Sequence, residues 1–71
     1  MANKKMRGLV YNISKIEKTT SGYNIRVDYT KDGQEKAPRM FEKLSDALYW
    51  ISEINMVAHR AFEVQININL K

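Results

Sequence analysis

The last nine residues, EVQININLK, alternate without error: Val64, Ile66, Ile68 and Leu70 form an apolar row, and Glu63, Gln65, Asn67, Asn69 and Lys71 a polar one. A period of two places the rows on opposite faces of a β-strand. The stretch YNIRVDYT has the same period, with Tyr23, Ile25, Val27 and Tyr29 pointing inward and Asn24, Arg26, Asp28 and Thr30 outward. From Leu9 to Ile16 the residues Leu9, Tyr11 and Ile13 share a face; Ile16 then falls out of phase, which predicts a bulge or bend near Ser14 and Lys15. Thr19 to Gly22 reads as a turn, and Asp32-Gly33 supplies the backbone freedom of a tight hairpin. The weaker strand QEKAPRMFEK contains Pro38, which cannot donate to a ladder and so places that strand at an edge or a bulge.

Between Ser45 and Ala61 the period lengthens. Ser45 is the expected N-cap, its hydroxyl accepting from an unsatisfied amide, and Asp46 follows where negative charge suits the helix dipole. A helix from about Asp46 to Ala61, at about 100° per residue, centres its apolar face on Ala47, Ile51, Ile54 and Ala58, flanked by Leu48, Trp50, Val57 and Ala61. Tyr49 and Met56 fall on the far side, beside Glu53 and Arg60.

These elements predict an α+β fold in the order β-β-β-α-β, a four-stranded, mostly antiparallel sheet with one helix on one face. A crossover through the helix lays the last strand parallel to the first, in the order 3-2-1-4, with a swapped or edge-paired position as the alternative. The last strand's apolar row is then expected to meet the helix. Its polar row joins Asn12, Asn24, Arg26, Thr30 and Arg39 on the helix-free face.

A chain of 71 residues is one domain with a small core. It has no cysteine for a disulfide or a thiolate metal site, so oligomerisation is the remaining way to reinforce it. No signal-peptide core and no membrane-length apolar run is present, and a cytoplasmic protein is expected. Of the net charge of +4, Lys4, Lys5 and Arg7 supply three, and the remaining nine Lys and Arg nearly balance eight acids. Residues 1–7 are thus expected to form a flexible basic arm, able to touch phosphate or merely to aid solubility, on a near-neutral domain of residues 8–71.

Catalysis finds no support. The single histidine, His59, sits near the helix C-terminus, where the dipole favours a cation, without a nucleophile and base pattern around it. The acids are dispersed, with no calcium-loop or Glu-x-x-His spacing, and Gly8, Gly22 and Gly33 make no phosphate-cradling motif. No enzyme activity, metal, cofactor or small-molecule substrate is expected.

The segment from Gly22 to Trp50 resembles the AP2-like, N-terminal arm-type DNA-binding domains of phage and transposon integrases. The likeness rests on Tyr23 after Gly22, Arg26 in the same strand, the Asp32-Gly33 hairpin, Phe41, and the helix opening Ser45 to Ala47. It implies a sheet docked in the major groove with Arg26 and Arg39 on bases or phosphates. More loosely, the chain resembles short orphan α+β phage proteins, many of which bind a host protein.

Two surfaces follow. The first, slightly favoured, is nucleic-acid binding through Lys4, Lys5, Arg7, Arg26, Arg39, Asn67 and Asn69, residue types that bond phosphates and base edges. No stacking aromatic is expected on that face, which disfavours an RNA platform. The alternative is a phage-type regulator or inhibitor that binds a host protein, or a second copy as a homodimer, through Tyr49, Met56 and Arg60 or through a sheet edge. A membrane partner is not expected.

Overall fold

The computed structural model describes residues 8–60 and 63–71. Four strands, β1 (Leu9–Lys15), β2 (Ile25–Lys31), β3 (Gln34–Phe41) and β4 (Val64–Asn69), form one sheet in the order β3-β2-β1-β4. A helix, α1, spans residues 44–59 and links β3 to β4, so the chain is an α+β domain in the order β-β-β-α-β. The β1–β2 and β2–β3 pairs are antiparallel and β4 runs parallel to β1, as the crossover requires.

The β1–β2 register is uniform from Leu9↔Lys31 to Lys15↔Ile25, so the bend expected at Ser14 and Lys15 is absent. Ile16 lies one residue past β1, but its N–H still donates to the Asn24 carbonyl (3.0 Å) in the same register, so its change of phase reflects no bulge. Thr19 to Gly22 does turn, with Gly22 N–H donating to the Thr19 carbonyl (2.9 Å). Tyr23 precedes β2 and is 39% exposed, outside the inward row assigned to it. The hairpin closes on Asp32 and Gly33, both at positive φ, the conformation of the primed turns that match strand twist. Pro38 lies in the edge strand β3, and the β2–β3 register shifts between Val27 and Tyr29. Pairing there is Val27↔Arg39 before the shift and Tyr29↔Lys36 after it, the disturbance expected around Pro38.

The helix departs from the pattern at its start and its middle. It begins at Leu44, one turn being closed by the Lys43 carbonyl, which accepts from Asp46 (3.1 Å) and Ala47 (3.2 Å); Ser45 makes no cap. Leu44–Tyr49 is α-helical, Trp50–Asn55 is π-helical, and Met56–His59 returns to α, ending at Arg60 in the left-handed conformation. Ser52 Oγ donates to the Leu48 carbonyl (2.9 Å), a side-chain bond that competes with the main-chain ladder where the helix widens.

A wider turn rotates everything after it. Ala47, Trp50 and Ile51 are buried as the helical period requires, but the next inward residue is Asn55; Ile54 is 49% exposed, and Ala58 is exposed. Met56, expected outside with Tyr49, packs against the core instead. The core is completed by Leu9, Tyr11, Ile13, Ile25 and Val27. Trp50 seats the helix toward β2 and β3, with ring centroids 5.7 Å from both Tyr29 and Phe41.

That seating leaves β4 uncovered. Strands lie about 4.8 Å apart, so the outer strands of this sheet are separated by about 14 Å, more than a helix about 10–12 Å across can cover. Only Val64 of the β4 apolar row packs on the core; Ile66 (41%), Ile68 (51%) and Leu70 (38%) are exposed, against the expectation that this row meets the helix.

Candidate interaction surface along the fourth strand

In the order β3-β2-β1-β4, one long side of β4 is free of any other strand among the described residues. Pairing of Tyr11 with Ile66 and of Ile13 with Ile68 puts the exposed isoleucines on the helix side of the sheet, continuous with the buried β1 row. The β1–β4 ladder starts with Leu9 N–H donating to the Glu63 carbonyl (2.9 Å). Main-chain groups along a parallel strand turn alternately toward and away from the neighbour. Those of Glu63, Gln65, Asn67 and Asn69 therefore face β1, and those of Val64, Ile66 and Ile68 face outward.

Gly8 fixes this end of the sheet. It has φ +87°, and a Cβ there would sit inside the Glu63 carbonyl, so no other residue fits without moving β4. Its N–H donates to Asp32 Oδ1 (2.7 Å) and its carbonyl accepts from Asp32 N–H (2.8 Å), tying the hairpin turn to the start of β1.

The two edges of the sheet differ. Val64–Asn69 contains neither a charge nor a proline, whereas β3 carries Glu35, Lys36, Pro38 and Arg39. Charges and proline are the usual means of blocking an edge against further pairing. β3 is so protected, and β4 is not.

The helix-free face has a polar lattice. Asn67 Nδ2 donates to Asn12 Oδ1 (2.9 Å) and Gln65 Nε2 to Asn67 Oδ1 (3.1 Å). Arg26, Ser14 and Asn69 lie in one cross-strand row, and Asp28, Asn12 and Asn67 in the next. The Arg26 guanidinium is paired to Asp28 two residues on, at 3.0 Å. With Glu35 opposite Thr30, this face carries no excess positive charge from Arg26.

The sequence-predicted residues thus separate. Arg26, Asn67 and Asn69 share the helix-free face, but Arg39, expected there, lies on the helix side: it pairs with Val27, a core residue, and its guanidinium sits 5.3 Å over the Trp50 ring. Lys4, Lys5 and Arg7 lie outside the described residues. Tyr49 is 60% exposed on the outer helix face, Arg60 caps the helix C-terminus, and Met56 has left that face for the core. Sequence reasoning missed Asn55, which is buried and bonded to two tyrosines, and the exposed isoleucines of β4. The uncharged run VQININ was the available signal for the latter.

Among the described residues, no three His, Cys, Asp or Glu side chains converge as metal ligands, and no helix is long and apolar enough to cross a membrane. No protein-family model, curated protein or solved structure matches the chain.

Proposed function

We propose that this is a non-enzymatic binding protein that takes a polypeptide partner as an added strand along the free edge of β4. The observation that carries this reading is the combination of an unblocked edge with an exposed apolar row. Added strands gain affinity from main-chain hydrogen bonds and specificity from alternate side chains, and β4 offers both. Nucleic-acid binding, to which the basic arm and the polar sheet face first pointed, has less behind it: Arg26 is neutralised by Asp28, and Arg39 is on the other face.

The test is capture of partners from native extract by the intact protein and by two double variants. Ile66→Lys with Ile68→Lys places charge on the edge strand, and Arg26→Ser with Asn12→Ser alters the polar face on β1 and β2 without touching β4. On this reading the edge variant loses its polypeptide partner, a second copy of the chain included, and the face variant keeps it, with nuclease making no difference. Capture that vanishes on nuclease treatment and with the face variant overturns the reading in favour of nucleic acid.

A further inference from the structure

Resting on the reading of β4 as a strand-pairing edge, we infer that the partner is a second copy of this chain, paired β4 to β4 in antiparallel fashion about a two-fold axis through Asn67. The strand is complementary to its own reversal. Centred on Asn67, the pairing sets Val64 against Leu70 of the second copy, Gln65 against Asn69, and Ile66 against Ile68. Apolar residues meet apolar ones on the helix side, and amides meet amides on the polar face.

The ends select this register. Glu63 and Lys71 flank the uncharged strand at equal distance from Asn67, so each carboxylate lies opposite the ammonium of the other copy. Opposite charges directly across an antiparallel pair are favourable, and like charges are not. Shifting the axis to Ile66 or Ile68 keeps apolar against apolar but leaves both charges unmatched.

Main-chain geometry agrees. The outward N–H and C=O groups belong to Val64, Ile66 and Ile68, so Ile66 and Ile68 of the other copy exchange hydrogen bonds as a close pair. Asn67, whose main chain faces β1, meets its counterpart as a non-hydrogen-bonded pair. The two four-stranded sheets then form one continuous sheet, each β4 ceasing to be an edge. Association of this kind also supplies the reinforcement that a small, cysteine-free domain lacks.

Facing residues in a non-hydrogen-bonded antiparallel pair have Cα atoms about 4.5 Å apart, within disulfide reach. The absence of native cysteine makes the experiment clean. Sedimentation of the purified full chain should give twice the 8.3 kDa mass, falling to the monomer on dilution and with Ile66→Lys plus Ile68→Lys. On mild oxidation Asn67→Cys should cross-link to itself. Gln65→Cys and Asn69→Cys should each stay uncross-linked alone and link when mixed.

Self-linking of Gln65→Cys, with none for Asn67→Cys, overturns the register. A chain monomeric at every concentration, whose edge variant still loses a different polypeptide, overturns self-pairing and leaves the β4 edge as the binding site. A dimer indifferent to the lysine pair overturns both.

Discussion

The Tyr11 hydroxyl donates to Asn55 Oδ1 beneath the π-helical stretch, and Asn55 Nδ2 in turn donates to the Tyr29 hydroxyl (3.3 Å). The two tyrosine rings stack at 5.4 Å. The widened helical turn thus brings an amide over two phenols, and the core has a polar centre in which all three groups are paired.

Tyr11→Phe should cost about 1–3 kcal/mol, because it leaves the buried Asn55 oxygen without a donor. It should also alter the response to alkali. Desolvation by burial, followed by the neighbouring Tyr29, pushes the Tyr11 phenol from 10.0 up to about 12. Below pH 10 the phenol is neutral in the folded and unfolded chains and its stabilisation is whole. Between pH 10 and 12 the unfolded chain ionises first, so stability falls through that window. Denaturant melts of both proteins at stepped pH should show a steeper decline in the wild type; parallel declines would remove Tyr11 as the cause.

Gly8→Ala should destabilise by about 1–3 kcal/mol or more, since it adds backbone strain at positive φ to a clash with the Glu63 carbonyl. Asp32→Gly is the comparison: it removes the hydrogen bond to Gly8 N–H without crowding β4 and suits the positive φ of the turn, at a cost of about 1 kcal/mol. Equal losses from the two, measured by urea unfolding, would mean that close approach of Gly8 to β4 contributes nothing.

Helix phase gives a sharper contrast. Ile51 is fully buried and Ile54 half exposed, although ideal α-helical spacing puts both on the inner face. Ile51→Ala should cost about 2–5 kcal/mol. Ile54→Ala should cost about 1 kcal/mol or less, as it removes little buried surface. Similar costs for the two would restore the regular helix and return Asn55 to solvent.

These departures share a physical origin. The strands and the hairpin are legible because alternation and Asp32-Gly33 are local signals of local geometry, whereas the place of β4 beside β1 follows from the crossover through the helix. Arg39 was misplaced because the shift between Val27 and Tyr29 reverses the parity of β3, and parity is all that a strand pattern offers. Ile54 and Met56 were misplaced because helical projection assumes one constant period. For β4 the faces were assigned correctly, yet alternation states which residues share a face and not whether anything covers it. Cover depends on where Trp50 draws the helix, which is a tertiary outcome.

Arg39 and Arg26 have the same expected role, and the structure separates them onto opposite faces of the sheet. Arg39 lies over the face of Trp50, where its cation is attracted by the ring and its stem shields the indole. Arg39→Ala should therefore lower stability by about 0.5–1 kcal/mol or somewhat more, and red-shift the emission of Trp50, the only tryptophan, as water reaches the ring. Lys at this position should recover only part, because it loses the planar stacking of the guanidinium. Arg26→Ser breaks a solvent-exposed pair with Asp28 and should change stability by about 1 kcal/mol or less, with no spectral shift. If Arg39→Ala instead leaves both the melting curve and the emission unchanged while weakening duplex DNA binding, Arg39 is a nucleic-acid contact and its seat over Trp50 is incidental. If both arginine variants leave duplex binding untouched, the salt-dependent attraction that remains falls to Lys4, Lys5 and Arg7, whose replacement should flatten its salt slope by about one phosphate contact each.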